Sequence, residues 1–262
     1  MITTTILGCG TSTGVPVIGC TCKVCRSSHP RNKRLRVSLW WQLAVGGKRL
    51  SFIVDTGPDF RQQALRAKID RVDAVLYTHP HADHAHGIDD LRAFNFWQRQ
   101  AIPIYGHTWT CEDFLRKFPY VFKHIPGEGG ALPQLDLKAF DPETQSLEIL
   151  GVKVIPLPCS HGSQSVVGYR IDSVAYVTDT SYIPAPTLER MQGLSVLILD
   201  CVRIEPHRTH LNMDRALEVV SQLRPKRTFL THLGHDFDYT TWSRKLPKGV
   251  HLAYDGLKLK TS

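Results

Sequence analysis

Thr78-His79-Pro80-His81-Ala82-Asp83-His84 places three imidazoles and a carboxylate within six residues, directly after an apolar run at 72–78. That run reads as a strand buried on both faces. Polar side chains so concentrated have no packing role there, because every ring nitrogen and carboxylate oxygen would need its own partner. The end of a strand in an open sheet is where ligands gather. His79 and His81 can turn toward one ion, and Asp83 and His84, half a turn further on, can reach a second. The segment therefore predicts a metal centre built on a sheet.

Composition narrows the setting. A chain of 262 residues with 42% hydrophobic and 21% charged residues has globular values, which exclude a disordered tail, a collagen or a coiled coil. No linker, fixed-period repeat or low-complexity tract divides it, so residues 1–262 are expected to form a single domain. No apolar run is long enough to span a membrane, and the first residues lack a basic segment followed by an apolar one, so the expectation is a cytoplasmic protein. Seven cysteines, an odd number, do not suggest a disulfide framework, whereas thirteen histidines fit metal binding. The net charge of +8 favours anionic partners without separating a phosphate ester from a nucleic acid.

Strands are expected at 2–7, 35–45, 49–54, 72–78 and 102–105, with Gly46-Gly47 as a tight hairpin turn. Helices are expected at 58–68, 88–99 and 109–117. Residues 119–134 read as a loop, either a lid or a surface insertion. Strands follow near 135–140, 146–150, 152–157, 166–171, 174–178, 196–199, 227–230 and after 249, with helices near 185–191 and 213–223. Strand-rich halves, each with helices toward its end, suggest two packed sheets with helices outside.

A second cluster, Cys20-Thr21-Cys22-Lys23-Val24-Cys25, is best explained as three thiolates on one Zn²⁺, with a redox thiol pair as the alternative. Tetrahedral zinc needs a fourth ligand. His235, three residues past His232, would let one loop serve both metal sites, and His29 is the local competitor. Cys9, Cys111, Cys159 and Cys201 read as ordinary small residues.

The His-x-His-x-Asp-His signature resembles that of the metallo-β-lactamase-fold hydrolases. Asp55-Thr56-Gly57, Cys159-Ser160-His161-Gly162, Thr178-Asp179-Thr180 and Thr231-His232 resemble the family's other motifs in order. The resemblance implies an α+β fold, a four-layer αββα sandwich of two mixed sheets with helices outside. It implies one metal held by His79, His81, His161 and Asp179 and another by Asp83, His84, Asp179 and His232. Asp83 then also counts among the catalytic groups, and Asp55 orients the His loop. Mixed His and carboxylate ligands suit two Mn²⁺ or Zn²⁺. His81 stands where the flavo-diiron branch commonly carries Glu.

Gly8-Cys9-Gly10-Thr11-Ser12-Thr13-Gly14-Val15-Pro16, the Cys cluster and Thr231-His232-Leu233-Gly234-His235 narrow the resemblance to the phosphoribosyl 1,2-cyclic phosphate phosphodiesterase branch, related to the tRNA 3′-processing nucleases. It implies a structural Zn²⁺ on Cys20, Cys22, Cys25 and His235, and His210 as general acid. The rival reading makes Asn212 or Asp214 an N-cap and leaves His210 exposed. The implied function is hydrolysis of a small or cyclic phosphodiester, such as a phosphoribosyl cyclic phosphate or a 2′,3′-cyclic nucleotide, by metal-bound hydroxide. The alternatives are a tRNA 3′-processing-type nuclease, a lactone or thioester hydrolase, and a non-hydrolytic relative of cofactor biosynthesis. The expected partner is a small anionic phosphodiester; nucleic acid is less favoured, no membrane is expected, and relatives suggest a homodimer. Two departures are a long segment at 118–134 and the basic run Pro30-Arg31-Asn32-Lys33-Arg34-Leu35-Arg36, read as a solvated strand edge in preference to a phosphate-binding patch.

Overall fold

Trp40 and Trp41 are neighbours in one strand yet fill different cores, since successive side chains of a strand point to opposite faces. Both are buried, so their sheet is covered on both sides. The computed structural model of the chain describes residues 1–122, 132–144 and 146–261. The expected lid falls largely on 123–131, outside the described residues.

The first half runs β1 (Ile2–Gly8), β2 (Ser38–Val45), β3 (Lys48–Val54), α1 (Phe60–Ala67), β4 (Ala74–Leu76), α2 (Ala82–Ala85), α3 (Arg92–Gln98), β5 (Ile102–His107), α4 (Thr108–Lys117), α5 (Pro119–Phe122) and β6 (Leu135–Phe140). The second runs β7 (Leu147–Ile149), β8 (Val152–His161), β9 (Gln164–Ile171), β10 (Val174–Val177), α6 (Ala185–Arg190), β11 (Val196–Asp200), α7 (Met213–Leu223), β12 (Arg227–Thr231), α8 (Tyr239–Lys245), β13 (Val250–Leu252) and β14 (Lys258–Thr261). Two seven-stranded sheets result, ordered β14-β1-β2-β3-β4-β5-β6 and β13-β12-β11-β10-β9-β8-β7. Each is mixed: antiparallel on one side, and parallel through β3 to β6 or through β10 to β13.

Ile6, Trp41, Phe52 and Val54 of the first sheet meet Val154, Tyr169, Ile198 and Phe229 of the second in one apolar layer. Trp40, Val75 and Tyr77 pack outward against Phe60, Phe94 and Phe114 of α1, α3 and α4. Val177, Leu197 and Leu230 pack against Met213, Ala216 and Leu223 of α7. This is the expected αββα sandwich. Each fully buried Leu, Ile or Phe contributes about 1.5–3 kcal/mol, so the three layers of contact dominate folding.

Local chemistry explains most boundaries. Gly46 and Gly47 both take positive φ, 55° and 77°, as the hairpin between β2 and β3 requires. The helix expected over 88–99 divides into a tight turn at Ile88–Leu91 and α3, which ends where Arg99 turns left-handed. β8 continues to His161 through Pro156 and Pro158, past the expected end at 157. Its neighbour β7 pairs only as far as Val154, and the next partner is Tyr182 at Ser160, so between those points β8 is an edge and the missing proline N–H groups cost no ladder bond. No helix among the described residues is long and apolar enough to cross a membrane.

The basic run at 30–36 is a solvated edge only in part: Arg31 and Lys33 are exposed, whereas Arg34 and Arg36 turn inward. Arg34 is 2% exposed and donates to the Gly234 and Phe237 carbonyls. Arg36 pairs with Asp59 at 2.9 Å, and the Arg31 guanidinium lies 4.1 Å from the Tyr254 ring centroid. Partners from distant segments, invisible in a linear reading, absorb these charges.

The Asp55-Thr56-Gly57 turn lies flat against the His loop: Thr56 N–H donates to the His84 carbonyl and Gly87 N–H to the Thr56 carbonyl, both at 2.8 Å. A Cβ on Gly57 would sit 1.9 Å from the Asp83 carbonyl oxygen. Gly57→Ala is therefore expected to destabilise the protein by about 3 kcal/mol or more, since overpacking against backbone cannot be relieved by a rotamer change. Thermal unfolding reads this out; an unchanged Tm would show that the turn can move away.

Candidate metal centre

Each site residue leaves the C-terminal end of a strand or the turn just after it. Asp55 follows β3, the His loop follows β4, His161 ends β8, Asp179 follows β10, Asp200 ends β11 and His232 follows β12. Asp55, Asp179 and His232 all adopt left-handed backbone, with φ of 61°, 52° and 58°. Such strain in non-glycine residues persists only where the surroundings over-determine it.

Asp55 organises the His loop. Fully buried, it accepts the Thr78 N–H and the Thr78 hydroxyl, each at 2.8 Å, and His84 Nδ1 at 2.7 Å. Burial pushes its carboxyl up, and His84 and Thr78 pull against that. With Nδ1–H of His84 committed to Asp55, Nε2 is the nitrogen that faces inward, toward Asp83 and Asp179. The Thr78 hydroxyl, already donating to Asp55, accepts from His79 Nδ1 at 3.0 Å, which turns His79 Nε2 inward, 2.9 Å from His81 Nδ1. His161 gives its Nδ1–H to the Thr209 carbonyl at 2.8 Å. Three rings thus have their tautomers set by outer partners, a device common around metal-binding imidazoles.

The sequence-predicted residues converge. One ligand atom each from His79, His81 and His161 lies within 4.8 Å of the others, and the same holds for Asp83, His84, Asp179 and His232. Asp179 stands between the groups: Oδ1 is 4.0 Å from His79 Nε2 and 3.3 Å from His232 Nε2, and Oδ2 is 3.2 Å from His84 Nε2. Nε2 of His84 and both ring nitrogens of His232 are buried without a hydrogen bond, which fits donors aimed at an ion. Burial pushes His79, His81 and His161 down, toward the neutral form that coordinates metals. Burial alone would raise the carboxyls of Asp83 and Asp179, but His84 and His232, which these carboxylates in turn raise, outweigh it and hold both well below the carboxylate range. This donor set fits two divalent ions.

His210 lies at the edge of the cluster. Its ring stacks on His232 at 4.7 Å between centroids and meets His161 edge-on at 4.6 Å, and its side chain is 10% exposed. Asn212 does cap α7, its side chain accepting from Arg215 N–H at 3.3 Å, yet the cap does not leave His210 in solvent. The residue that the sequence reading missed is Asp200. Wholly buried, its Oδ2 lies 3.4 Å from His210 Nδ1 and accepts the Leu211 N–H, and its Oδ1 lies 3.7 Å from His232 Nδ1 and accepts the Asp179 N–H. Its signal was present: an acidic residue ending the apolar run Val196–Leu199, placed as Asp179 is after its own strand.

The second cluster also assembles. His235 Nδ1 is 3.3 Å from Cys20 Sγ and 3.5 Å from each of Cys22 Sγ and Cys25 Sγ. All seven cysteines are free thiols. The Cys25 N–H, donating to Cys22, lowers the Cys22 thiol to about 6, while burial raises Cys25. His29 is elsewhere: it accepts from Arg31 N–H and stacks on Tyr239. The four atoms suit one tetrahedral Zn²⁺.

Asp55→Asn would replace an acceptor with a group that must offer an N–H to His84 or Thr78. Metal affinity of the His/Asp centre should fall about 10- to 100-fold, measured by competition with a chelator. Unchanged affinity would show that His84 is oriented without Asp55.

Comparison with known proteins agrees with this architecture. Residues 50–233 match the Beta-lactamase superfamily domain. A crystal structure of a diphosphatase from the PhnP family is 41% identical, with a TM-score of 0.89 over 98% of this chain and 96% of that one. Zn²⁺-bound PqqB from Methylobacterium extorquens (17% identical, TM-score 0.77, 99% and 100% covered) and the short form of human tRNase Z (17%, 0.67, 98% and 98%) share the fold. An octanoyltransferase of Porphyromonas gingivalis is 36% identical over 255 residues, 97% of this chain but 50% of that protein. The chain thus spans about half the length of that curated relative. With the His loop, His161, Asp179 and His232 at strand ends on two facing mixed sheets, and the domain match across them, the chain belongs to the metallo-β-lactamase superfamily, related to the PhnP family.

Proposed function

We propose that the chain is a phosphodiester hydrolase with a two-metal centre, acting on a small or cyclic phosphodiester. The observation that carries the reading is the arrangement of His210 and Asp200 beside two ligand groups that meet at Asp179. His79, His81, His161 and Asp179 would hold one Mn²⁺ or Zn²⁺, and Asp83, His84, Asp179 and His232 the other. Such a pair would supply Lewis acidity, making water more acidic and neutralising charge on phosphoryl oxygens. Cys20, Cys22, Cys25 and His235 would hold a structural Zn²⁺. The core shared by both sheets supports a single unit over 1–262, and seven free thiols support a cytoplasmic setting.

The chain's own residues complete the chemistry. Asp55 and Thr209 fix ring orientations, and Asp83 adds negative charge beside His84 and His232. Asp200 Oδ2 stands 3.4 Å from His210 Nδ1, and a ring nitrogen of His210 lies within 4.8 Å of ligand atoms of His161 and Asp179, where a leaving oxygen would need a proton. This assignment separates substrates by leaving group. An alkoxide, as in a ring-opened 2′,3′-cyclic nucleotide, is a poor leaving group without a proton; nitrophenolate and phosphate leave more readily.

The description of the 41%-identical structure as a diphosphatase favours a second reading, a phosphoric anhydride bond as the target. The name of the half-length match raises acyl transfer, which is tested in the same screen. Protein reconstituted with Mn²⁺ or Zn²⁺ is expected to hydrolyse 2′,3′-cyclic nucleotides and bis(p-nitrophenyl) phosphate; turnover confined to thioesters or lactones would overturn the reading.

His210→Ala should lower kcat on cyclic nucleotides about 10²- to 10⁴-fold, and far less on the nitrophenyl ester, with metal content retained. Equal loss on both substrates together with loss of metal would make His210 a ligand instead.

A further inference from the structure

Two of the groups above share one short loop. His232 belongs to the His/Asp centre and His235 to the Cys cluster, with only Leu233 and Gly234 between them. The backbone of His232 is left-handed, so the direction of its ring depends on how firmly the following residues are held. Leu233 N–H donates to the Cys9 carbonyl at 2.8 Å and Gly234 N–H to the Val202 carbonyl at 2.9 Å. A Cβ on Gly234 would lie 2.8 Å from that Val202 oxygen, so the approach is close on that side. On the other side stands Arg34. One arm of its guanidinium donates to the Gly234 carbonyl at 2.9 Å and the other to the Phe237 carbonyl, bracketing His235.

We infer that Arg34 is a positioning residue through which the Cys20–Cys22–Cys25–His235 cluster sets the orientation of His232 in the His/Asp centre. A guanidinium 2% exposed is costly to desolvate, and its burial is repaid by carbonyl dipoles rather than by a contact ion pair. Only a rigid planar fork reaches two carbonyls three residues apart along a chain; an ammonium is a single point. Asn32, also fully buried, extends the brace: its Nδ2 donates to Ser27 Oγ at 3.0 Å and Asp238 Oδ2 at 2.9 Å, and its Oδ1 accepts Tyr239 N–H at 2.8 Å. The Cys loop and the 232–239 segment are thereby fastened through two buried side chains, and His232 is the part of that segment that enters the other site. The inference rests on the two ligand groups assigned above, and concerns their coupling rather than the reaction.

Cobalt(II) reconstitution tests it, because thiolate-bound cobalt gives a charge-transfer absorption that the His/Asp centre lacks, so each site is followed separately. Arg34→Lys is expected to keep the thiolate band while cobalt affinity at the His/Asp centre falls 10- to 100-fold, with a changed visible spectrum there. Cys22→Ser, which attacks the cluster from its other side, should weaken the thiolate band and produce the same change at the His/Asp centre. If the lysine variant fails to fold, the serine variant decides. An unaltered His/Asp spectrum and affinity in either folded variant would overturn the coupling. Wild-type protein that takes up no cobalt at its His/Asp groups would overturn the metal assignment itself.

Discussion

The structure depends on one buried carboxylate. Asp55 sits at the junction of β3 and the His loop and accepts from Thr78 twice and from His84 once. These bonds fix the path of the loop and the tautomer of His84, and through the Thr78 hydroxyl that of His79. Burying a carboxylate is expensive unless every oxygen is satisfied, so the arrangement holds together as a whole or fails as a whole. The sandwich exists in a form that brings two such switch regions face to face: the parallel portion of each sheet ends at the same edge, one with Asp55 and the His loop, the other with Asp179, Asp200 and His232.

Like charge and desolvation then compete inside the centre. Three histidines are pushed toward neutrality by burial, whereas His84 and His232 are raised by the carboxylates beside them and in turn keep Asp83 and Asp179 ionised. Imidazoles and ionised carboxylates converging from two sheets form a donor set for which divalent cations are a natural counter-charge. The left-handed backbone at Asp55, Asp179 and His232 places stored strain where those side chains must converge.

Much of this was legible in the chain. Dense polar residues after an apolar strand marked the first cluster, and Cys-x-Cys-x-x-Cys the second, with His235 and His29 left as candidates for its fourth member until the fold set His235 against the thiols. What escaped was whatever depends on three-dimensional neighbours. Arg34 reads as one member of a basic run, but its role comes from carbonyls some two hundred positions away. Asp200 was passed over because a single acidic residue after a strand has no spacing partner; only the fold sets it against His210 and His232. The strand expected over 152–157 continues to His161 through Pro158, since edge status, which lets a strand carry proline, is a property of the sheet and not of the sequence.

The central claim is that the His/Asp groups hold two divalent ions that act on a phosphodiester. Elemental analysis of the purified protein before and after mild chelation, with cyclic-nucleotide hydrolysis followed on the same samples, tests it directly. The account predicts two ions lost from the His/Asp centre together with all turnover, a zinc retained by the thiolates, and activity restored on returning Mn²⁺ or Zn²⁺. A protein that carries metal only at the cysteines, or that hydrolyses the phosphodiester undiminished after chelation, would contradict it.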